Sequence, residues 1–312
     1  MRVRELHRRG RPAPRARLAV ALACAAFTGG VLAQPQASNA PPPSPRAGAP
    51  IDLTGYWVAV VSEDWRHRMA TPRKGDYESL PINAEGRRVA DGWDLTADNA
   101  AELQCKAFGV GGIMRQPGRV HITWADDDTL RVELDAGTQT RQLEFGAAQP
   151  VGAKTWQGLS QAAWQRPPGA GGAPVRAQIG NSAGPIAPGG GGRGQRGGPP
   201  PTAALNEGGS LKVTTTNFRE GYLRKNGVPY SESASITEYF HRLPEQPGGD
   251  VWLHVVTIVD DPKYLSEPFY TSTMFKREPN GAKWKPTPCR TAPPPPVASA
   301  PAATRPPDPL PQ

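Results

Sequence analysis

The densest chemistry in this 312-residue chain sits at Glu63-Asp64-Trp65-Arg66-His67-Arg68, with Lys74, Asp76 and Tyr77 close behind. Carboxylates, guanidiniums, an imidazole and an indole crowded into one stretch are the groups that recognise a small anionic or aromatic ligand, and arginine adds bidentate contacts to carboxylate or phosphate. The same stretch also reads as a salt-bridged loop with Trp65 packed on the end of the fold. A second group is Tyr239 and His241, two positions apart, where a phenol and an imidazole on one strand face could do acid-base work. His67 or His121, with Asp64, would complete an enzymatic reading of these residues.

Other chemistries find no support in the spacing. No two histidines stand three or four positions apart, and neither His-Glu-x-x-His nor Cys-x-x-Cys occurs. A dedicated transition-metal site is therefore not expected, and no motif calls for a cofactor. Gly158-Leu159-Ser160-Gln161-Ala162 lacks the last glycine of a hydrolase elbow, and proline-glycine sequence follows where a helix should start. Asp126-Asp127-Asp128 lacks the spaced glycine and terminal glutamate of a calcium loop and reads as a turn. His254 shares strand parity with Trp252, Val256 and Ile258, which predicts a core histidine.

The residues that must position this chemistry are read from the ends inward. Seven arginines in the first seventeen residues precede an apolar run from Leu18 to Phe27 and then Val31-Leu32-Ala33. That is the pattern of a secretory signal over residues 1–33. Removing it takes seven arginines and Glu5, so 36 basic and 28 acidic residues become 29 and 27, and the formal charge falls from +8 to +2. Segments not expected to fold, counted with Arg166 at the border of one of them, hold seven of the remaining arginines against Glu207 and Asp308, which leaves the folded parts near −3. No basic face remains for nucleic acid. Cys24 leaves with the signal, and Ala21 stands where a lipoprotein signal wants a larger aliphatic, so lipid anchoring through Cys24 is not expected. Cys105 and Cys289 then form an even pair, a plausible disulfide in an oxidising compartment; two buried thiols are the alternative.

Residues 34–50 are rich in Pro and Ala and read as a flexible stalk, 167–209 as a Gly/Pro-rich insert, and 290–312 as a Pro-rich tail. Between them, 51–289 reads as one interrupted β domain. Val120, Ile122 and Trp124 alternate with polar neighbours, the aspartates turn the chain, and Leu130, Val132 and Leu134 alternate in return: a hairpin with one wet face. Further strands are expected near 55–62, 138–145, 155–165, 211–218, 233–242, 251–259 and 268–277. Asn226-Gly227, Pro247-Gly248-Gly249-Asp250 and Pro279-Asn280-Gly281 carry turn chemistry between them. Only 83–103 looks helical, with Asn83 as its N-cap. The pattern predicts a mainly β fold, an antiparallel up-and-down barrel or a sandwich, with a short helical segment and disordered tails.

Gly55-Tyr56-Trp57, on the first strand after the leader, resembles the Gly-x-Trp start of lipocalins and other calycin barrels. The resemblance implies an eight-stranded barrel with an apolar cup and a disulfide reaching the C-terminal region. A wider set of motifs, Asp64-Trp65-Arg66, Lys74-Gly75-Asp76-Tyr77, Gly137-Thr138-Gln139-Thr140-Arg141, Arg224-Lys225-Asn226-Gly227-Val228-Pro229-Tyr230 and Pro286-Thr287-Pro288-Cys289, resembles a group of uncharacterised exported bacterial proteins. The leading expectation is a monomeric exported barrel that binds a small apolar or aromatic ligand, with Trp57, Trp65 and Arg66 near its opening. A small-molecule enzyme using the same pocket, and an envelope-associated structural protein with Pro-rich spacers, are the alternatives.

Overall fold

Alternating apolar and polar residues, broken by glycine- and aspartate-rich turns, build nine strands that close on themselves. The computed structural model describes residues 42–146, 152–166 and 208–296. The barrel strands are β1 (Gly55–Val60), β2 (Arg119–Trp124), β3 (Thr129–Leu134), β4 (Gln139–Phe145), β5 (Leu159–Gln165), β6 (Ser210–Thr216), β7 (Ser235–Arg242), β8 (Trp252–Asp260) and β9 (Phe269–Glu278). They pair in sequence order, and β9 returns to β1 to complete the ring. The fold is thus a closed meander, one strand larger than a calycin barrel. A ring of nine cannot be antiparallel at every seam, and the odd seam is β4–β5, which pairs in parallel. A parallel neighbour requires a crossover connection of a dozen or more residues, and positions 146–158 separate the two strands in the sequence.

Closure at this strand number leaves an interior that side chains can fill. Trp57, Ile122, Val132, Leu143, Leu211, Val213, Leu253 and Val255 occupy it, all 0% exposed. Among the described residues the space expected to form an apolar cup is taken by these side chains. Arg141 on β4 and Glu238 on β7 also point inward and are fully buried. They pair across the interior, Arg141 Nη1 donating to Glu238 Oε1 at 3.0 Å, beside Thr215 and Ser160, whose hydroxyls lie 2.8 Å apart.

Both sets of alternating residues on β8 are apolar, and the fold chooses Leu253, Val255 and Val259 as its inward set. Trp252, His254, Val256 and Ile258 therefore face outward and are half-buried, which corrects the expectation that His254 lies in the core.

One end of the barrel is closed by the chain between β1 and β2. It holds α1 (Trp65–Met69), α2 (Ala84–Asp91) and α3 (Leu95–Ala100). Asn83 caps α2 by accepting from Gly86 N at 2.9 Å, as the sequence predicts, and the helical stretch breaks at Gly92-Trp93 before Asp94 caps α3. A ribbon of Gly221–Arg224 paired with Val228–Tyr230 packs beside them. Its turn needs Gly227, which has φ +83° and lies so close to Trp93 that a Cβ would stand 2.2 Å from the indole. Tyr77, Phe218, Leu223, Tyr230, Ile236 and Phe269 form a second apolar cluster at this end.

Cys105 and Cys289 are joined as a disulfide with their Cα atoms 5.1 Å apart. At the opposite end, residues 45–48 are held by Trp164 Nε1 donating to Pro45 O at 2.8 Å and by Arg46 N donating to Asp127 O at 3.1 Å. No helix of the described residues is long and apolar enough to cross a membrane.

Candidate functional site

The chain leaves β1 at Val60 and must reverse to cover the barrel end. Asp64 makes the reversal in a left-handed conformation (φ 50°), and its carbonyl accepts from His67 N and Arg68 N at 2.9 and 3.0 Å to start α1. One short helical turn then sorts the side chains by face. Trp65 and Met69 stand out in solvent, 64% and 61% exposed, while His67 and Arg68 turn inward.

Arg68 is buried and donates from Nε to Arg115 O at 3.0 Å; its Nη1 lies 3.5 Å from Glu63. Arg115 follows Ile113 and Met114 in a short 3-10 turn, donates from Nη2 to Asp64 Oδ2 at 2.7 Å and also reaches the Thr271 hydroxyl on β9. Asp76 receives Arg66 Nη2 at 3.1 Å and stands 3.3 Å from His67 Nε2. The ribbon contributes Arg224, Lys225 and Asn226: Lys225 Nζ donates to Arg68 O at 3.2 Å, and Asn226 Nδ2 donates to Arg73 O and Asp76 O, both at 2.9 Å.

Positive charge dominates this cluster. Burial alone would raise the Asp64 carboxyl, yet the hydrogen bond and charge of Arg115, with the charges of Arg224 and His67, hold it below the usual carboxylate range. Burial pushes the Arg224 guanidinium down to about 10, and the charge of Arg115 adds to that push. Burial and the charge of Arg68 lower Lys225 likewise. Arg224 is 5% exposed, and neither Nη1 nor Nη2 has a partner among the described residues. Arg68 Nη2 and the Thr71 hydroxyl are buried and unpartnered as well. Burying a guanidinium without its hydrogen bonds is costly.

Two hollows open beside α1. A groove of about 360 Å³ is lined by Glu63, Asp64, Val256, Tyr270, Thr271 and Ser272, with Tyr270 64% exposed at its edge. A smaller hollow of about 210 Å³ is lined by Arg66, His67, Thr71, Arg73, Asp76 and Pro295 among others. The tail crosses this second hollow, where Arg73 Nη2 donates to Pro296 O at 3.0 Å. His67, Asp76 and Glu78 place ligand atoms within 4.8 Å of one another, which is the donor set here that could hold a divalent cation.

Of the residues singled out from the sequence, Asp64, Arg66 and His67 come together and Trp65 stands on their rim. Trp57 does not join them: it is sealed in the barrel, with Nε1 donating to Leu53 O at 2.9 Å. Tyr239 and His241 lie on the outer wall of β7, stacked with ring centroids 6.4 Å apart. Tyr239 is in register with Val256, one strand from the groove. His121 faces outward on β2, stacked on Tyr56 at 3.9 Å with Nδ1 3.1 Å from Glu133. Ser160 is buried against Thr215, and Asp126 Oδ1 closes a turn by accepting from Asp128 N at 2.8 Å. Arg115 and Thr271 were not singled out, and Arg224 entered only as part of a quoted motif, without a role at the site. A lone arginine at the end of the apolar run from Phe108 to Met114 was the available sign for the first.

Fold and site together define a closed nine-strand β-barrel whose plugged end carries an arginine-rich cluster. No family model, curated protein or solved structure matches this chain.

Proposed function

We propose that this protein is an exported small-ligand-binding barrel and that its ligand is an aromatic or apolar molecule bearing an anionic group, carboxylate, sulfonate or phosphate. The observation that carries this reading is the buried Arg224 guanidinium, with both terminal nitrogens lacking an acceptor beside Arg68 and Arg115. A ligand oxyanion would receive their charge-assisted hydrogen bonds, and arginine favours that bidentate geometry. Arg66, Arg73 and His67 line the smaller hollow beside α1, while Trp65 and Tyr270 offer exposed rings for the apolar body. The sequence pattern of residues 1–33 supports export, and a disulfide between Cys105 and Cys289 suits an oxidising compartment.

The test compares anilinonaphthalene sulfonate, an anionic aromatic probe, with neutral N-phenylnaphthylamine on the purified mature chain and on Arg224→Met. The reading expects saturable binding of the anionic probe that Arg224→Met weakens roughly tenfold or more, the cost of losing one charge-assisted contact, with little effect on the neutral probe. Equal binding of both probes, or unchanged anionic binding in a folded Arg224→Met variant, would overturn it.

A further inference from the structure

The outer wall of the barrel carries a row of donor atoms that the α1 cluster does not use. His241 on β7 is in register with His254 on β8, and His254 with Met274 on β9. All three alternate with the buried Phe240, Leu253 and Phe275, so they face outward together. Cross-strand neighbours on one face have Cβ atoms about 5 Å apart, within reach of one ion. Thirteen and twenty positions separate these residues in the chain, so only the strand register assembles them.

The two imidazole centroids are 6.2 Å apart. A metal about 2.1 Å from a ring nitrogen stands roughly 3.2 Å from that ring's centre, so two imidazoles sharing one ion have centroids about 5 to 6.4 Å apart. The pair already stands at coordination spacing. Tyr239 stacks on His241 with its plane tilted by 16°, which steadies the ring. Lys276, the next outward residue on β9, is engaged by Asp250 at 2.8 Å.

Two imidazoles and a thioether are a soft donor set, suited to copper and ill suited to magnesium, calcium or manganese. We propose that His241, His254 and Met274 form a copper site on the outer wall of the barrel, with the thioether favouring Cu(I). The site is separate from the ligand cluster at α1, and either could exist without the other.

The experiment titrates Cu(I), held reduced by ascorbate, into the full mature chain with bicinchoninate as competing chelator, the Cys105–Cys289 bridge being left oxidised. Methionine methyl and histidine ring resonances are followed by NMR. One Cu(I) per chain is expected, shifting the Met274 methyl and the rings of His241 and His254 and leaving Met69, Met114 and His67 in place. Met274→Leu and His254→Gln should each weaken Cu(I) binding by at least the roughly 10- to 100-fold that loss of an outer-shell partner costs. Zn(II) should bind more weakly than Cu(I) and lose little in Met274→Leu. Copper that shifts the His67 or Met69 signals instead, or equal affinity in Met274→Leu and wild type, would overturn the proposal. Leucine is close in volume to methionine at this half-buried outer position, so unchanged circular dichroism is the fold control.

Discussion

The Arg141–Glu238 pair offers the sharpest test of how this barrel tolerates charge in its interior. Both side chains are fully buried, and they meet across ninety-seven positions of sequence. Glu238→Leu leaves the guanidinium buried with no counter-charge. Removing one partner of such a pair costs about 3–5 kcal/mol, a large part of the 5–15 kcal/mol that holds an ordinary domain together. With a urea m-value near 2 kcal/mol/M, the midpoint should fall by roughly 2 M. The double variant Arg141→Met/Glu238→Leu removes both charges and should recover most of that loss, since apolar replacement of a buried pair is often neutral. The structure supports recovery because Thr215 keeps its 2.8 Å bond to Ser160 when Arg141 is gone, so no new hydroxyl is orphaned. The assay is urea unfolding followed by tryptophan fluorescence and circular dichroism on all four members of the cycle. A double variant as unstable as Glu238→Leu would refute the reasoning, because the cost would then lie in packing rather than in an uncompensated charge.

Two further outcomes concern the disulfide and pH. Reducing Cys105–Cys289 frees a loop with a sequence separation of 184. The chain-entropy relation gives up to about 5 kcal/mol for a loop of that size, so denaturant titrations with and without reductant should differ by a midpoint shift of comparable size to that of Glu238→Leu; coincident curves would remove the bridge from the stability account. His241 has a depressed pKa in the folded chain through burial and the neighbouring His254. The unfolded chain therefore binds more protons just below the ordinary histidine pKa of about 6.5, and stability should decline as pH falls from 7 towards 5. His241→Gln should flatten that part of a urea-midpoint profile, and an unchanged slope would assign it to other groups.

The hairpin of β2 and β3 was legible because each strand alternates cleanly between apolar and polar residues and three aspartates mark the turn. Asn83 was legible as a cap for the same local reason, and the cysteine pair because setting Cys24 aside with the expected signal leaves two. Faces were harder where both were apolar: on β8, pattern alone gave His254 to the core, while closure of the ring buried the other set. Arg141 sits in Thr140-Arg141-Gln142, which reads as a wetted strand, and only its distant partner Glu238 explains its burial. The arginine-rich cluster was half visible for a similar reason. Glu63 to Arg68 crowd together in the chain, whereas Arg115 and Arg224 arrive from segments whose meeting is a tertiary event.

The bridge between Cys105 and Cys289 also divides the barrel mechanically. Eight strands, β2 to β9, lie inside the covalent loop it closes, and β1 lies outside, seated between β2 and β9 by hydrogen bonds and by the packing of Trp57 and Tyr56, with no covalent tie. Tension applied from the amino-terminal side therefore meets a zipper, not a lock. β1 can be peeled from its two neighbours and draw Asp64 and α1 with it, while the bridge keeps the other eight strands on a closed leash. In such a barrel the strand that leads into the arginine cluster is also the one the bridge leaves unsecured.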